Sequence, residues 1–187
     1  FFAAAVLTRE MMVVVPLVYL FFALTVRRDR GRTLAAVFSL LPFVIWFGYV
    51  FFRIGDPPFR GGQGNLAAPL NGPLAYAYNL GSVEGRIWEK LYFWIFAGTG
   101  ILSLILACRE LVRRRDEITV LFFLYAVQPV FMSIRVWVEP WSYGRVLVPA
   151  AVFLMLTFIR SRDRVYLVPL AGHLLLAAAT LFWTGLL

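Results

Sequence analysis

The chain has 187 residues, 61% of them hydrophobic and only 15% charged, and it carries a formal net charge of +8. With a mean hydropathy of +0.80, it lies outside the range of a soluble domain of this size and reads as an integral membrane protein. The lack of residue-by-residue apolar/polar alternation excludes an outer-membrane barrel.

Crossing a bilayer takes about 20 mostly apolar residues. Residues 1–7 are apolar but too short to span, and the chain opens Phe1-Phe2-Ala3 without an initiator Met or a basic leader. It therefore reads as a C-terminal fragment of a longer protein, with its first helix truncated. Thr8-Arg9-Glu10 follows, then a span at 11–26 in which Pro16 is expected to kink the helix. Residues 33–52 form the next span and end in Trp46, Tyr49, Phe51 and Phe52, placed as an aromatic belt.

Residues 53–90 are the one long stretch without a span. Asp56-Pro57-Pro58, Gly61-Gly62-Gln63-Gly64-Asn65 and Asn71-Gly72-Pro73 are too dense in turn formers for a continuous helix. Leu66, Leu70, Leu74, Tyr76, Tyr78 and Leu80 lie between these turns and supply apolar surface. The prediction is an interfacial loop with one or two short helical turns. Further spans follow at 91–108, 118–134, 146–159 and 165–187, with a short outer segment at 135–145. The expected fold is an all-α polytopic transmembrane helix bundle of six spans plus the truncated first helix. It forms one transmembrane domain over 1–187 with a long extracytoplasmic interfacial loop at 53–90.

Arginines punctuate every second junction: Arg27-Arg28-Asp29-Arg30-Gly31-Arg32, then residues 109–117, then Arg160-Ser161-Arg162-Asp163-Arg164. Basic residues in short loops near helix ends are retained on the cytoplasmic side, so these junctions are expected to face the cytoplasm, in a bacterial inner (plasma) membrane. The likeness of the three joints is explained by an acid near the positive end of each following helix, with arginine beside it for orientation. Arginines confined to helix ends point to lipid phosphate, and nucleic acid is excluded as a partner. Seven basic residues fall outside the clusters: Arg9, Arg53, Arg60, Arg86, Lys90, Arg135 and Arg145.

One His and one Cys rule out a zinc or iron site of ordinary ligand spacing and an internal disulfide. Gly-x-x-x-x-Gly-Lys-Ser/Thr is absent, and Gly61-Gly62-Gln63-Gly64 has no strand before it, so no phosphate-cradling loop is present. His173 lies mid-span without an ionisable neighbour at similar depth and reads as a buried histidine bonded to an adjacent helix. Arg9 and Glu10 fit either an ordinary interfacial turn or a phosphate contact in which Glu10 orients the guanidinium. Arg135, Glu139, Tyr143 and Arg145 form a second outer group. Its arginine forks suit phosphate, and Trp137 and Trp141 would stack on a sugar or sit as belt residues among headgroups. Asp56 and Arg60, with Gln63 and Asn65, suit sugar hydroxyls, although turn formation alone also accounts for the Asp-Pro and Gly-Asn pairs.

The outward Thr8-Arg9-Glu10, the basic joint after it, the Leu-Pro and Trp-rich span, the Gly/Pro-rich outer loop and Tyr143-Gly144-Arg145-Val146-Leu147-Val148-Pro149 together resemble the C-terminal membrane half of polyprenyl-phosphate-dependent glycosyltransferases of the GT-C superfamily. The resemblance implies transfer of a sugar from a lipid-phosphate donor to a lipid, glycan or protein acceptor at the extracytoplasmic face. It would make Arg9 and Arg145 the lipid-phosphate contacts, supported by Glu10 and Tyr143, with Arg135, Glu139, Asp56 and Arg60 as further candidates. It also places the catalytic base in an earlier outer loop, and a divalent metal, if used, in the longer protein. A transporter or flippase for a lipid-linked or anionic solute is the alternative, and a non-catalytic membrane scaffold a third. The scarcity of midplane charge weighs against ion coupling.

Overall fold

The computed structural model describes residues 10–55, 66–82, 87–138 and 140–183, with the side chains of 10, 11, 54, 82, 140–146 and 183 outside that description. Among the described residues every regular element is helical, and the extended pairing is an isolated antiparallel bridge between Leu66 and Met132. The chain separates into two compact units, Phe1–Gln63 and Gly64–Leu187.

In the first unit a 3-10 turn at Glu10–Val13 leads into α1 (Val14–Phe22), a π-turn at Ala23–Arg27 and then α2 (Arg30–Ile54), and α1 packs against α2. The kink expected at Pro16 has no occasion to form. Because α1 begins at Val14, Pro16 falls in its first turn, where the missing N–H has no intrahelical partner to lose. α2 ends at Gly55, whose φ of 77° lets its amide return to the Phe51 carbonyl at 2.9 Å.

The second unit holds α3 (Asn71–Ser82), α4 (Ile87–Arg114), α5 (Glu117–Val127), α6 (Ile134–Val138), α7 (Pro140–Ser161) and α8 (Leu167–Trp183). α4 and α7 each pack against both α5 and α8, closing a four-helix bundle. Its centre is filled by Phe96, Leu121, Phe122, Tyr125 and Leu154, all nearly or fully inaccessible, with Tyr125 stacked on Phe153 at 5.5 Å.

Among the described residues, three helical stretches are long and apolar enough to cross a membrane: Arg30–Arg53, Ile87–Arg114 and Arg164–Phe182, of 24, 28 and 19 residues. Shorter apolar helices at Val14–Arg27, Glu117–Phe131 and Leu147–Ser161 fall where the remaining spans were expected. α5 is short because Pro129 cannot continue it. The chain tightens into a 3-10 turn at Gln128–Phe131 and becomes extended at Met132.

This break leaves carbonyls without intrahelical donors. The segment before α3 supplies the donors, with the Ala67 amide bonding the Phe131 oxygen at 2.8 Å and the Leu70 amide bonding the Val130 oxygen at 2.7 Å. Gly72 lies directly against the Met132 carbonyl, where a Cβ would collide with backbone, and Pro73 suits a first helical turn. α3 then buries Tyr76 and Leu80 against Phe93, with the Tyr76 and Phe93 rings edge to face at 5.5 Å. The turn formers of this stretch therefore begin a 12-residue helix, longer than the one or two turns expected, because packing on α4 and α6 stabilises what local propensity does not.

The three arginine clusters share one backbone device. Arg28, Arg115 and Arg162 adopt left-handed φ values of 49°, 40° and 57°, and the next residue in each case is an aspartate that caps the following helix. Asp29 accepts from the Arg32 amide at 3.2 Å, Asp116 from the Thr119 amide at 3.1 Å and Asp163 from the Val165 amide at 3.1 Å. Asp116 completes a capping box, since Thr119 Oγ1 accepts its amide in return. The acid expected near each helix start is thus a true N-cap, worth about 1 kcal/mol. A left-handed arginine costs about 1 kcal/mol where glycine or asparagine would cost little.

Candidate functional site

Two ends of the second unit carry polar chemistry, joined by an apolar groove. At the arginine end the turns between α4 and α5 and between α7 and α8 are tied together. Arg109 Nη2 donates to Asp163 Oδ2 at 2.8 Å, and Arg160 pairs with Asp116. The Val165 amide, and then the Arg109 guanidinium, hold the Asp163 carboxyl below the usual carboxylate range. Beneath them Glu110 is 2% exposed. It accepts from the Tyr166 hydroxyl at 2.6 Å, with Arg114 Nε at 3.4 Å and Arg113 Nη1 at 3.8 Å. The Tyr166 hydroxyl bond and the two nearby guanidinium groups offset part of the cost of burying this side chain, whose Oε2 has no hydrogen-bond partner among the described residues.

The opposite end holds most of the sequence candidates of this unit. Arg135 is exposed on α6, with no carboxylate partner among the described residues. Tyr143 and Arg145 are placed by their backbone in the first two turns of α7, which opens with Pro140 at its first position. These three therefore share one end of the unit. Glu10 begins the 3-10 turn of the first unit. Arg9, Asp56, Arg60 and Glu139 lie outside the described residues, as do Gln63 and Asn65.

Trp137 is neither a belt residue nor a sugar platform. It is 4% exposed and packs edge to face on Phe96 at 4.5 Å and on Phe93 at 5.8 Å, because α6 turns it inward under α3. On α4, by contrast, Trp88 and Trp94 are 75% and 66% exposed.

Between the two ends α4, α7 and α8 enclose a groove of about 460 Å³, within the range that holds small ligands. Phe96, Ala151, Met155, Leu170, Leu174 and Ala177 line it. Its polar groups are already engaged with one another. The Thr180 hydroxyl gives its proton to the Leu176 carbonyl at 2.7 Å, so the Tyr92 hydroxyl is the donor in the 2.8 Å Tyr92–Thr180 bond. His173 Nε2 lies 3.3 Å from Ser103 Oγ, the neighbouring-helix bond expected of it. α8 comes close to α4 here, since a Cβ on Gly172 would strike Thr99.

No local signal in the sequence announces the groove. Tyr92 and Thr180 are 88 residues apart and Ser103 and His173 are 70 apart, and each alone looks like an isolated polar residue in a span. Among the described residues no three His, Cys, Asp or Glu side chains converge on a common point, so the structure assigns no ligands to a divalent cation. No family model, curated protein or solved structure matches the chain.

Proposed function

We propose that the chain is a membrane glycosyltransferase segment that holds a polyprenyl-phosphate-linked sugar donor at the extracytoplasmic face. The observation supporting this reading is the position of the groove relative to the start of α7. Leu147 lines the groove two residues after Arg145, a rise of about 3 Å along the helix. An apolar chain lying in the groove would carry its phosphate to the turns that contain Tyr143 and Arg145, with Arg135 on the preceding helix. Arginine would neutralise the phosphate and stabilise it as a leaving group while the sugar passes to a lipid, glycan or protein acceptor.

In this reading the three long helices and the three shorter apolar ones all span, with the arginine turns in the cytoplasm of a bacterial inner membrane and 53–90 outside. Membrane thinning or snorkelling of flanking arginines accommodates short spans at modest cost. With Cys108 replaced by Ser, Gly64→Cys reacts with an impermeant thiol reagent from outside and Arg114→Cys does not. The reverse labelling would invert the topology and remove the proposed site from the donor's face.

The deciding assay measures sugar transfer from a polyprenyl-phosphate donor by the protein expressed from its own gene. Arg145→Ala and Arg9→Ala are expected to lower transfer at least tenfold each, the loss of a charge-assisted bond worth about 1.5–3 kcal/mol. Undiminished transfer in both variants rejects the proposal.

A further inference from the structure

The arginine end of the second unit has seven arginines, at 109, 113, 114, 115, 160, 162 and 164, and four carboxylates, Glu110, Asp116, Glu117 and Asp163. Four of those arginines are engaged inside the unit, Arg109 by Asp163, Arg160 by Asp116, and Arg113 and Arg114 by Glu110. Arg115, Arg162 and Arg164 are exposed and have no carboxylate partner among the described residues. The Arg109–Asp163 and Arg160–Asp116 pairs each tie one turn to the other helix end. They hold Arg115, which precedes Asp116, and Arg162, which precedes Asp163, on adjoining turns. Both occupy the left-handed position that closes a helix, against the backbone cost of a branched side chain there. The acid of each turn is already engaged by a backbone amide and by Arg109 or Arg160, which leaves the preceding arginine without a carboxylate partner in its own turn.

We infer that Arg115 and Arg162, with Arg164 beside them, form a binding site for the phosphate of an anionic phospholipid headgroup in the leaflet at this end of the bundle. The guanidinium fork matches phosphate oxygens, and the acids that would compete for it are held away by Arg109, Arg160 and two backbone amides. The engaged pairs fix the spacing of the two turns, and the free arginines face the headgroup layer where helices of this bundle end. This site is independent of the sugar-donor proposal, because it lies at the other end of α7 and α8.

The test uses the full chain, reconstituted in vesicles of phosphatidylcholine with a minor share of phosphatidylglycerol, then extracted in mild detergent for measurement of the bound phospholipid. The native chain retains phosphatidylglycerol above its bulk proportion, by about fivefold for each contributing arginine. Arg115→Asn with Arg162→Asn brings the ratio toward bulk, while Arg115→Lys with Arg162→Lys preserves most of the enrichment. Asparagine tolerates the left-handed conformation, so the Asn pair keeps its helical circular dichroism and melts no lower in pure phosphatidylcholine. Equal enrichment in the native and Asn-substituted chains would overturn the inference. A lower melting point of the Asn pair in pure phosphatidylcholine would also overturn it, because the role would then be structural. So would displacement of the lipid by dilute inorganic pyrophosphate, because the site would then serve a soluble phosphate.

Discussion

At the arginine end of the second unit, Arg109 and Arg160 each reach across to the aspartate of a neighbouring turn. At the opposite end Arg135 stands exposed on α6 without a carboxylate partner among the described residues. Arg109 and Arg160 thus meet acids of their own chain, whereas Arg135 meets none among the described residues. The first end is held by charge pairs and caps, and the second by apolar packing of α3 and α6 around Trp137 and by backbone bonds to the broken end of α5. An arginine committed to a cap-bearing aspartate is unavailable to a ligand, whereas one on a helix fixed by aromatic packing remains free to bind one.

The largest effect should come from the apolar end. Gly72→Val places a side chain on the Met132 carbonyl and should destabilise the protein by about 3 kcal/mol, with new protease cleavage within 66–82. A near-neutral result in denaturant unfolding would mean that α3 is not what holds this end together.

At the other end, Tyr166→Phe removes the hydroxyl donor from buried Glu110 and should cost about 2 kcal/mol in the same measurement. Asp116→Ala removes both the capping box and the partner of Arg160 and should cost about 1 kcal/mol. If both changes fell within about 0.5 kcal/mol, the span expected of ordinary surface substitutions, the picture of an end held by polar contacts would fail.

Asp163 gives a smaller effect with a defined pH signature. Its carboxyl is depressed in the folded state, so its stabilisation is fully present above the unfolded value of about 4 and is lost as pH falls through the lower folded value. Melting curves of the native chain and Asp163→Asn should be separated at neutral pH and converge under acid. A constant separation across that range would remove Asp163 as a titrating support. The smallest structural effect belongs to Arg135→Ala, which should shift stability by less than about 0.5 kcal/mol while lowering transfer from a lipid-phosphate donor. An appreciable loss of stability would show that this arginine too is spent on the fold.

What could be read from the sequence was what adjacent residues specify. Arg-Asp before an apolar run announces a helix start, and the structure places a cap at Asp29, Asp116 and Asp163. Apolar runs likewise placed the helices, although Pro129 ended α5 sooner than apolarity alone suggested. What could not be read depends on distant partners. Glu110 looks like one more acid in a charged joint until the 3-10 turn before α8 brings Tyr166 over it from 56 residues away. Trp137 looks like an interfacial anchor until α3 and α4 close around it. Of the candidate site, the sequence singled out the 135–145 segment and its arginines, and α6 and α7 gather Arg135, Tyr143 and Arg145 at one end of the unit. The groove leading to that end arises from three helices that share no local pattern.

The repeated Arg-Asp turn also bears on how the chain is made. Each turn draws its positive charge, its helix stop and its next helix start from residues within a few positions of one another, so it needs nothing synthesised later. A helical hairpin closed by such a turn can form as soon as its second helix emerges, with short-range contacts that close quickly. In the proposed topology, the charge that would keep the turn on one side of the bilayer is already in place when that helix inserts. Orientation and folding would then be decided together, hairpin by hairpin, before the long-range pairs that join α4 to α8 have both partners present.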